Sequence, residues 1–305
     1  MHLPVEDIRR VLSGIKADDE YADALPYVIL TGGEPMMHPD FLDIIDMIHG
    51  MGFRWGMTTN GTLIGASTAA RFAEKGLYSI AVSIDGTEQL HDDLRRVRGA
   101  YRRAMDGLKA LIHEDAFHVS VTTVVTHESM GYLNDIYGAI FPLDIDSWRL
   151  MAVEPIGRAK EDPGLLLTKE DYRNMFGFIH CRRAENVPVE YGCMHYLGLD
   201  YEREVRDWYF SCLAGVSIAS VMSDGRIGAC LDIERNDATV QGSIYEDDLL
   251  NVWRNRFGAF RRDLAADTAG CAGCGHAAFC RGGSHHTYDH VSHAQGLCMK
   301  GVLFD

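Results

Sequence analysis

Apolar positions along the first half of the chain follow two alternating rhythms. Short β-rich runs lie at residues 27–30, 55–59, 79–84, 118–125 and 148–153, and each is followed by a longer stretch of a different period. Val5, Ile8, Val11, Leu12 and Ile15 recur every three to four residues, as do Phe41, Ile44, Ile45 and Ile48, and the same spacing returns over 68–75 and 101–112. That period predicts amphipathic helices. Alternation of apolar strands with such helices predicts an α/β fold, a parallel sheet or barrel covered by helices.

The rhythm changes after Leu165. One more helix is expected over 169–183, and the chain then becomes dense in Gly, Cys, His and aromatic residues, with no strand–helix alternation. Two domains are therefore expected, residues 1–186 and 187–305. In the second, Ser223-Asp224-Gly225-Arg226 separates the apolar runs 216–222 and 227–230 and predicts a β-hairpin.

The 305 residues suffice for two cores at roughly 150 residues per domain. A composition of 47% hydrophobic and 24% charged residues sets disorder aside. No run approaches the roughly 20 apolar residues of a membrane span, and residues 1–20 carry charges where a signal peptide would be apolar. We expect a cytoplasmic protein with no membrane partner. With 29 basic against 44 acidic residues, a balance of −15, nucleic acid is not expected as a partner. The eight cysteines lie at 181, 193, 212, 230, 271, 274, 280 and 298, mostly in the last third. Grouped cysteines in a cytosolic chain point to metal binding rather than to disulfides.

In a parallel barrel, ligands gather at the carboxyl ends of the strands. The segments there are Thr31-Gly32-Gly33-Glu34-Pro35, Asn60-Gly61-Thr62 and Ser83-Ile84-Asp85-Gly86. Each alone is compatible with a simple turn. Together, paired glycines followed by a carboxylate offer exposed backbone groups and a charge, which suits a small zwitterionic ligand.

Thr31 to Pro35, Thr58-Thr59-Asn60-Gly61-Thr62 and Val82-Ser83-Ile84-Asp85-Gly86 resemble the motifs of radical SAM enzymes. The resemblance implies a partial (β/α)6 barrel and covers most of residues 5–160. It implies S-adenosylmethionine as cofactor, with Gly32, Gly33 and Glu34 at the methionine amino group, Asn60 near the ligand, and Ser83 and Asp85 at the ribose. Arg95 resembles an arginine aimed at the methionyl carboxylate, with a solvated helix-start arginine as the plain alternative. Glu154-Pro155-Ile156-Gly157-Arg158 resembles the family's exit from its sixth strand. The family holds a [4Fe-4S] cluster on a CxxxCxxC loop after the first strand, yet no cysteine precedes Cys181. The visible strands thus correspond to the second through sixth, the edge at 27–30 would be unpaired, and an amino-terminally incomplete chain is expected. As written, it should not cleave S-adenosylmethionine.

Cys271-x2-Cys274-x5-Cys280, with Cys298, supplies four thiolates, the number for one [4Fe-4S] cluster or one structural zinc, and spacing alone leaves both open. The larger pattern, Cys212-x12-Gly225-x4-Cys230 before that group, is similar to the SPASM domain, a small Cys-rich α+β module carrying auxiliary clusters. The resemblance assigns Cys271, Cys274, Cys280 and Cys298 to the outer cluster. It assigns Cys212, Cys230 and Cys193 to a second, inner one whose fourth position is Ser284. Serine is a poor iron ligand, so the inner site is either absent, open at one iron, or completed by His285 or His286. Surface or hydrogen-bonding duty is the plain reading of those histidines and of His276. Cys181 reads as a small core residue.

The resemblance implies generation of a 5′-deoxyadenosyl radical and hydrogen abstraction, with a peptide or protein as substrate and flavodoxin or ferredoxin as reductant. A small-molecule oxidation on a tetrapyrrole and a non-catalytic peptide-binding or electron-transfer module are the alternatives. No catalytic residue is assigned. Tyr191, Tyr196, Tyr201 and Trp208 are candidates for a peptide surface, with an aromatic core as the default.

Overall fold

Five strands of the main sheet fall on the apolar runs: β1 (Val28–Leu30), β2 (Trp55–Thr59), β3 (Leu77–Ser83), β4 (His118–Val125) and β5 (Ser147–Ala152). The computed structural model describes residues 2–192 and 195–304. It adds β6 (Val189–Tyr191) and orders the sheet β1-β2-β3-β4-β5-β6. The first four strands pair in parallel, with Val28 opposite Trp55, Met57 opposite Ile80 and Ala81 opposite Ser120. β6 corrects the expectation that alternation stops after Leu165. Only three residues long, with Val189 and Tyr191 buried, it is too short for its period to be read from sequence.

Seven helices accompany these strands: α1 (Val5–Lys16), α2 (Phe41–Gly50), α3 (Ala66–Glu74), α4 (Glu88–Arg95), α5 (Ala100–Glu114), α6 (Leu133–Ile140) and α7 (Lys169–Ala184). α2 buries Phe41, Ile44, Ile45, Met47 and Ile48, each large side chain contributing roughly 1.5–3 kcal/mol. α5 packs on the loop after β2 because Gly107 lacks a side chain; a Cβ there would lie 2.3 Å from the Gly61 carbonyl oxygen. That close approach holds the turn carrying Asn60 against the barrel. α7 buries Tyr172, Met175, Phe176 and Ile179. Cys181 is exposed, which corrects its assignment to the core: it stands about 200° round the helix from Ile179.

By contact density the chain divides into two compact units. One comprises Lys16–Met151 with Arg182–Glu190 and holds β1 to β4. The other comprises Met1–Ile15, Ala152–Cys181 and Tyr191–Asp305. Its hairpin follows the expected turn: β7 (Ser220–Val221) pairs antiparallel with β8 (Arg226–Gly228), which pairs with β9 (Gly242–Ser243). Gly225 takes φ +84°, which glycine adopts without strain. Ala214, Ile227, Ala229, Ile233, Ile244, Val252, Phe257 and Phe260 form a core beneath it, with Cys212 and Cys230 packed on its margin.

Within that unit α8 (Leu199–Val205) supplies Glu202 to a fully buried ion pair with Arg206. Arg206 also donates to the carbonyls of Gly192 at 3.0 Å and His195 at 2.6 Å. Among the described residues no helix is long and apolar enough to cross a membrane.

Candidate functional site

In the barrel unit the loop after β1 is tied to the end of β2 through Glu34. Its carboxylate caps the turn Pro35–Met37 by accepting from the Met36 N–H at 3.2 Å, and it accepts the Thr59 hydroxyl at 2.9 and 3.0 Å. The Asn60 N–H reaches it at 2.7 Å. Three donors meet a group with about four lone-pair sites, so capacity remains for one more donor. Gly32 stands at φ +134°, and a Cβ on Gly32 or Gly33 would meet nothing within 4 Å. The backbone there faces open space beside a held carboxylate. Asn60 itself closes an Asx turn, its Oδ1 accepting from the N–H and hydroxyl of Thr62.

Ser83 ends β3 half-buried, and Asp85 beyond it is buried, with a side chain only 1% exposed. Arg95 donates to Asp85 Oδ2 through Nε at 2.8 Å and Nη2 at 2.5 Å, and the Val124 N–H donates to Oδ1 at 3.1 Å. The sequence reading sends Asp85 and Arg95 to different parts of a ligand, but the structure joins them to each other. Arg95 is the last residue of α4. This corrects its alternative reading as a helix-start residue, since α4 ends where Arg96 turns left-handed. The Asp85 N–H donates to His91 Nδ1 at 3.1 Å, and burial lowers the pKa of His91 against the opposing pull of Asp85.

In the other unit Cys271, Cys274, Cys280 and Cys298 are free thiols that sense one another. Burial, then Cys298, Cys271 and Cys274, push the Cys280 thiol up to about 12, and Cys271 is raised for the same reasons. Cys298 Sγ accepts the Lys300 N–H at 3.4 Å. Among the described residues no three of these sulfurs come within 4.8 Å of one another, whereas zinc at about 2.3 Å from each sulfur needs edges of about 3.8 Å. Four interacting thiols supply the number of ligands a [4Fe-4S] cluster takes, and these residues would hold it.

The inner set does not reproduce four thiolates. Cys193 lies outside the described residues. Ser284 is buried, and its hydroxyl oxygen accepts the His286 N–H at 3.1 Å. His286 instead turns to Cys230, and the ligand atoms of Cys230, Asp232 and His286 all lie within 4.8 Å of one another. Behind them stands Glu154, 4% exposed, with Oε2 at 3.6 Å from His286 Nδ1 and Oε1 at 3.0 Å from His195 Nε2. Burial favours the neutral acid, yet His195 and His286 outweigh it and hold the Glu154 carboxyl at about 2. Burial likewise opposes charge on His286, and Cys230 and Glu154 draw it up to about 12. His195 Nδ1 meets the Tyr191 hydroxyl at 2.9 Å.

His285 pairs with His290 at 3.2 Å and with the Phe260 carbonyl at 3.2 Å, while His276 meets the Tyr196 hydroxyl at 2.8 Å. Of the aromatic candidates, Tyr191 and Tyr196 belong to the core, as the default reading has it, and Trp208 is exposed, so the four do not form a candidate peptide surface as a set. His195, Asp232 and His91 were not singled out in sequence, and Glu154 was noted only as part of the motif after the last strand. Glu154 carried a signal, as the polar residue ending an apolar strand, and His195 another, two residues from Cys193; Asp232 and His91 look like ordinary surface residues in sequence.

Residues 2–140 match the Radical SAM superfamily, and residues 212–275 match SPASM, an iron–sulfur cluster-binding domain. The chain is 27% identical over 294 residues to an AdoMet-dependent heme synthase of Oleidesulfovibrio alaskensis, covering 90% of this chain and 72% of that protein. It is 27% identical over 262 residues to the mycofactocin maturase MftC of Mycolicibacterium smegmatis, covering 84% of this chain and 65% of that one. In fold it is similar to Streptococcus suis SuiB bound to S-adenosylmethionine, with TM-score 0.71 and 20% identity over 92% of this chain. SuiB has also been solved bound to its precursor peptide SuiA. The chain spans 65% of the SuiB chain.

Proposed function

For a chain that carries a radical SAM domain followed by a SPASM iron–sulfur domain, we propose a radical SAM enzyme that modifies a peptide or protein. The observation that carries the proposal is the strand-end arrangement of Gly32, Gly33 and Glu34: open backbone beside a fixed carboxylate with one acceptor site to spare. The ammonium of the methionine moiety supplies the missing donor, and the exposed glycine backbone accommodates the remainder. S-adenosylmethionine held here would supply a carbon-centred radical for hydrogen abstraction only on receiving one electron from a reduced iron–sulfur cluster, for which residues 1–305 hold no CxxxCxxC. The chain's own residues bind and orient it: Glu34 anchors the amino group, and Asn60 and Ser83 shape the adjoining strand ends. The pair of half-exposed Arg95 with buried Asp85 fixes the last turn of α4 beside them. Cys271, Cys274, Cys280 and Cys298 hold the outer auxiliary cluster. A reducing compartment, the cytoplasm, suits these thiols, and a flavodoxin or ferredoxin is the proposed electron donor.

The peptide class is supported by the maturase relative and by a fold shared with a protein solved on its precursor peptide. The second reading, a tetrapyrrole substrate, is favoured by the heme synthase match over 90% of the chain, while the −15 charge balance opposes an acidic porphyrinoid. Residues 1–305 contain no CxxxCxxC, so the test reads binding rather than turnover. Calorimetric titration with S-adenosylmethionine should give one site per chain, weakened at least tenfold in Glu34→Gln. No binding, or equal binding by the variant, overturns the assignment. Competition between a fluorescent iron coproporphyrin analogue and a library of short peptides then separates the two substrate classes.

A further inference from the structure

The geometry points to a mononuclear metal site formed by Cys230, Asp232 and His286, taking a zinc-class divalent ion. Their ligand atoms lie within 4.8 Å of one another. In a four-iron cluster each protein ligand serves its own iron, so ligands are spread round the cluster. Three donor atoms within 4.8 Å of one another are instead close enough to share a single ion. One thiolate, one imidazole and one carboxylate suit a borderline-soft ion of the zinc type, whose fourth position takes water or a ligand.

The chain builds this corner from separate pieces. Cys230 follows β8 directly, Asp232 lies two residues on, and His286 arrives from the tight turn Gly282-Gly283. Both glycines have φ near +90°, and a Cβ on Gly282 would lie 2.5 Å from the Leu264 side chain. Ser284 takes no part, because its hydroxyl caps the backbone of His286. Buried Glu154 stands against Nδ1 of His286 and leaves the other ring nitrogen as the metal donor. At 3.6 Å this is an electrostatic contact and not a hydrogen bond, so the carboxylate orients the ring by its charge. Neither carboxylate oxygen of Glu154 has an aligned hydrogen-bond donor among the described residues, as expected for a group that serves by charge and position. Glu154 is thus a positioning residue, and Asp232, exposed, sets access from solvent.

The test uses the full chain after anaerobic iron–sulfur reconstitution, so that the Cys271 group is filled. Titration with Co2+ alone should bind one equivalent, with thiolate-to-cobalt absorption that Zn2+ abolishes. Asp232→Asn, on the surface and harmless to folding, should weaken Co2+ at least tenfold, and His286→Gln should remove the absorption. Glu154→Gln should weaken binding and shift the ligand-field bands, a change that a merely structural role would not produce. Absence of thiolate-to-cobalt absorption overturns the site, as does equal binding by wild type, Asp232→Asn and His286→Gln. Iron and sulfide near twice those of one cluster and unchanged by His286→Gln would also overturn it, by showing a second cluster in its place.

Discussion

Glu34 Oε2 lies 2.7 Å from the backbone nitrogen of Asn60, and this contact joins the loop after β1 to the turn after β2. The carboxylate therefore has a structural duty beside its proposed ligand duty, and two substitutions separate them. Glu34→Ala removes the acceptor for Met36, Thr59 and Asn60 and should destabilise the barrel unit by about 1–3 kcal/mol. Glu34→Gln keeps one acceptor oxygen and should lose less than half of that, while S-adenosylmethionine binding falls at least tenfold in both. Urea unfolding beside calorimetric binding checks this; stability and affinity falling in step in both variants would mean that the charge itself is not used.

The Asp85–Arg95 pair makes a different prediction because its members differ in exposure, 1% against 36% for the side chains. Removing the guanidinium leaves a buried carboxylate with the Val124 N–H. Breaking a fully buried pair costs about 3–5 kcal/mol, and solvent screening at Arg95 reduces this, so Arg95→Met should cost about 2 kcal/mol. In Asp85→Asn the loss should be smaller, and a double-mutant cycle should give a coupling above about 1 kcal/mol. Additive losses would show that the contact carries no energy.

His91 predicts acid sensitivity. Its Nδ1 accepts the Asp85 N–H, so that nitrogen is unprotonated in the folded chain, and burial lowers its pKa below the ordinary 6.5. A folded-state pKa below the unfolded one means that the unfolded chain takes up the proton first. Stability is therefore complete above pH 6.5 and declines as pH falls from 6.5 toward the depressed folded value. Denaturant midpoints between pH 7.5 and 5.5 should drop for the wild type, and His91→Asn, which keeps an acceptor without titrating, should remove part of that drop. Parallel curves would contradict it.

Much of this was legible in sequence, for reasons that differ by residue. β4 was read to the residue because eight residues rich in Val and Thr declare a strand, and β2 because Asn60-Gly61 closes it, whereas Val189–Tyr191 was too short to stand out. The cysteine spacing announced a metal domain because ligand chemistry is local in sequence. The Asp85–Arg95 pair and the Glu154–His286 contact were not legible, since each depends on where an element ends or on segments 132 positions apart meeting in space. Serine at 284 raised the question of the inner site in sequence, but that His286 lies against Cys230 and Glu154 depends on segments that meet only in space.

The outer cysteine group carries the last prediction. Burial and neighbouring thiols push Cys280 up to about 12, so without metal its thiol is protonated at neutral pH, and cluster assembly must release that proton. Lower pH favours the thiol over the thiolate ligand, so anaerobic reconstitution should be less complete at pH 6.5 than at pH 8.5. At the higher pH about four irons and matching sulfide are expected in this group. In Cys280→Ala the iron should fall below about one per chain, and the unit should melt earlier because cluster binding and folding are coupled. Iron, sulfide and zinc analysis decides it: zinc in place of iron and sulfide at these four cysteines would make the module structural and remove it from electron transfer.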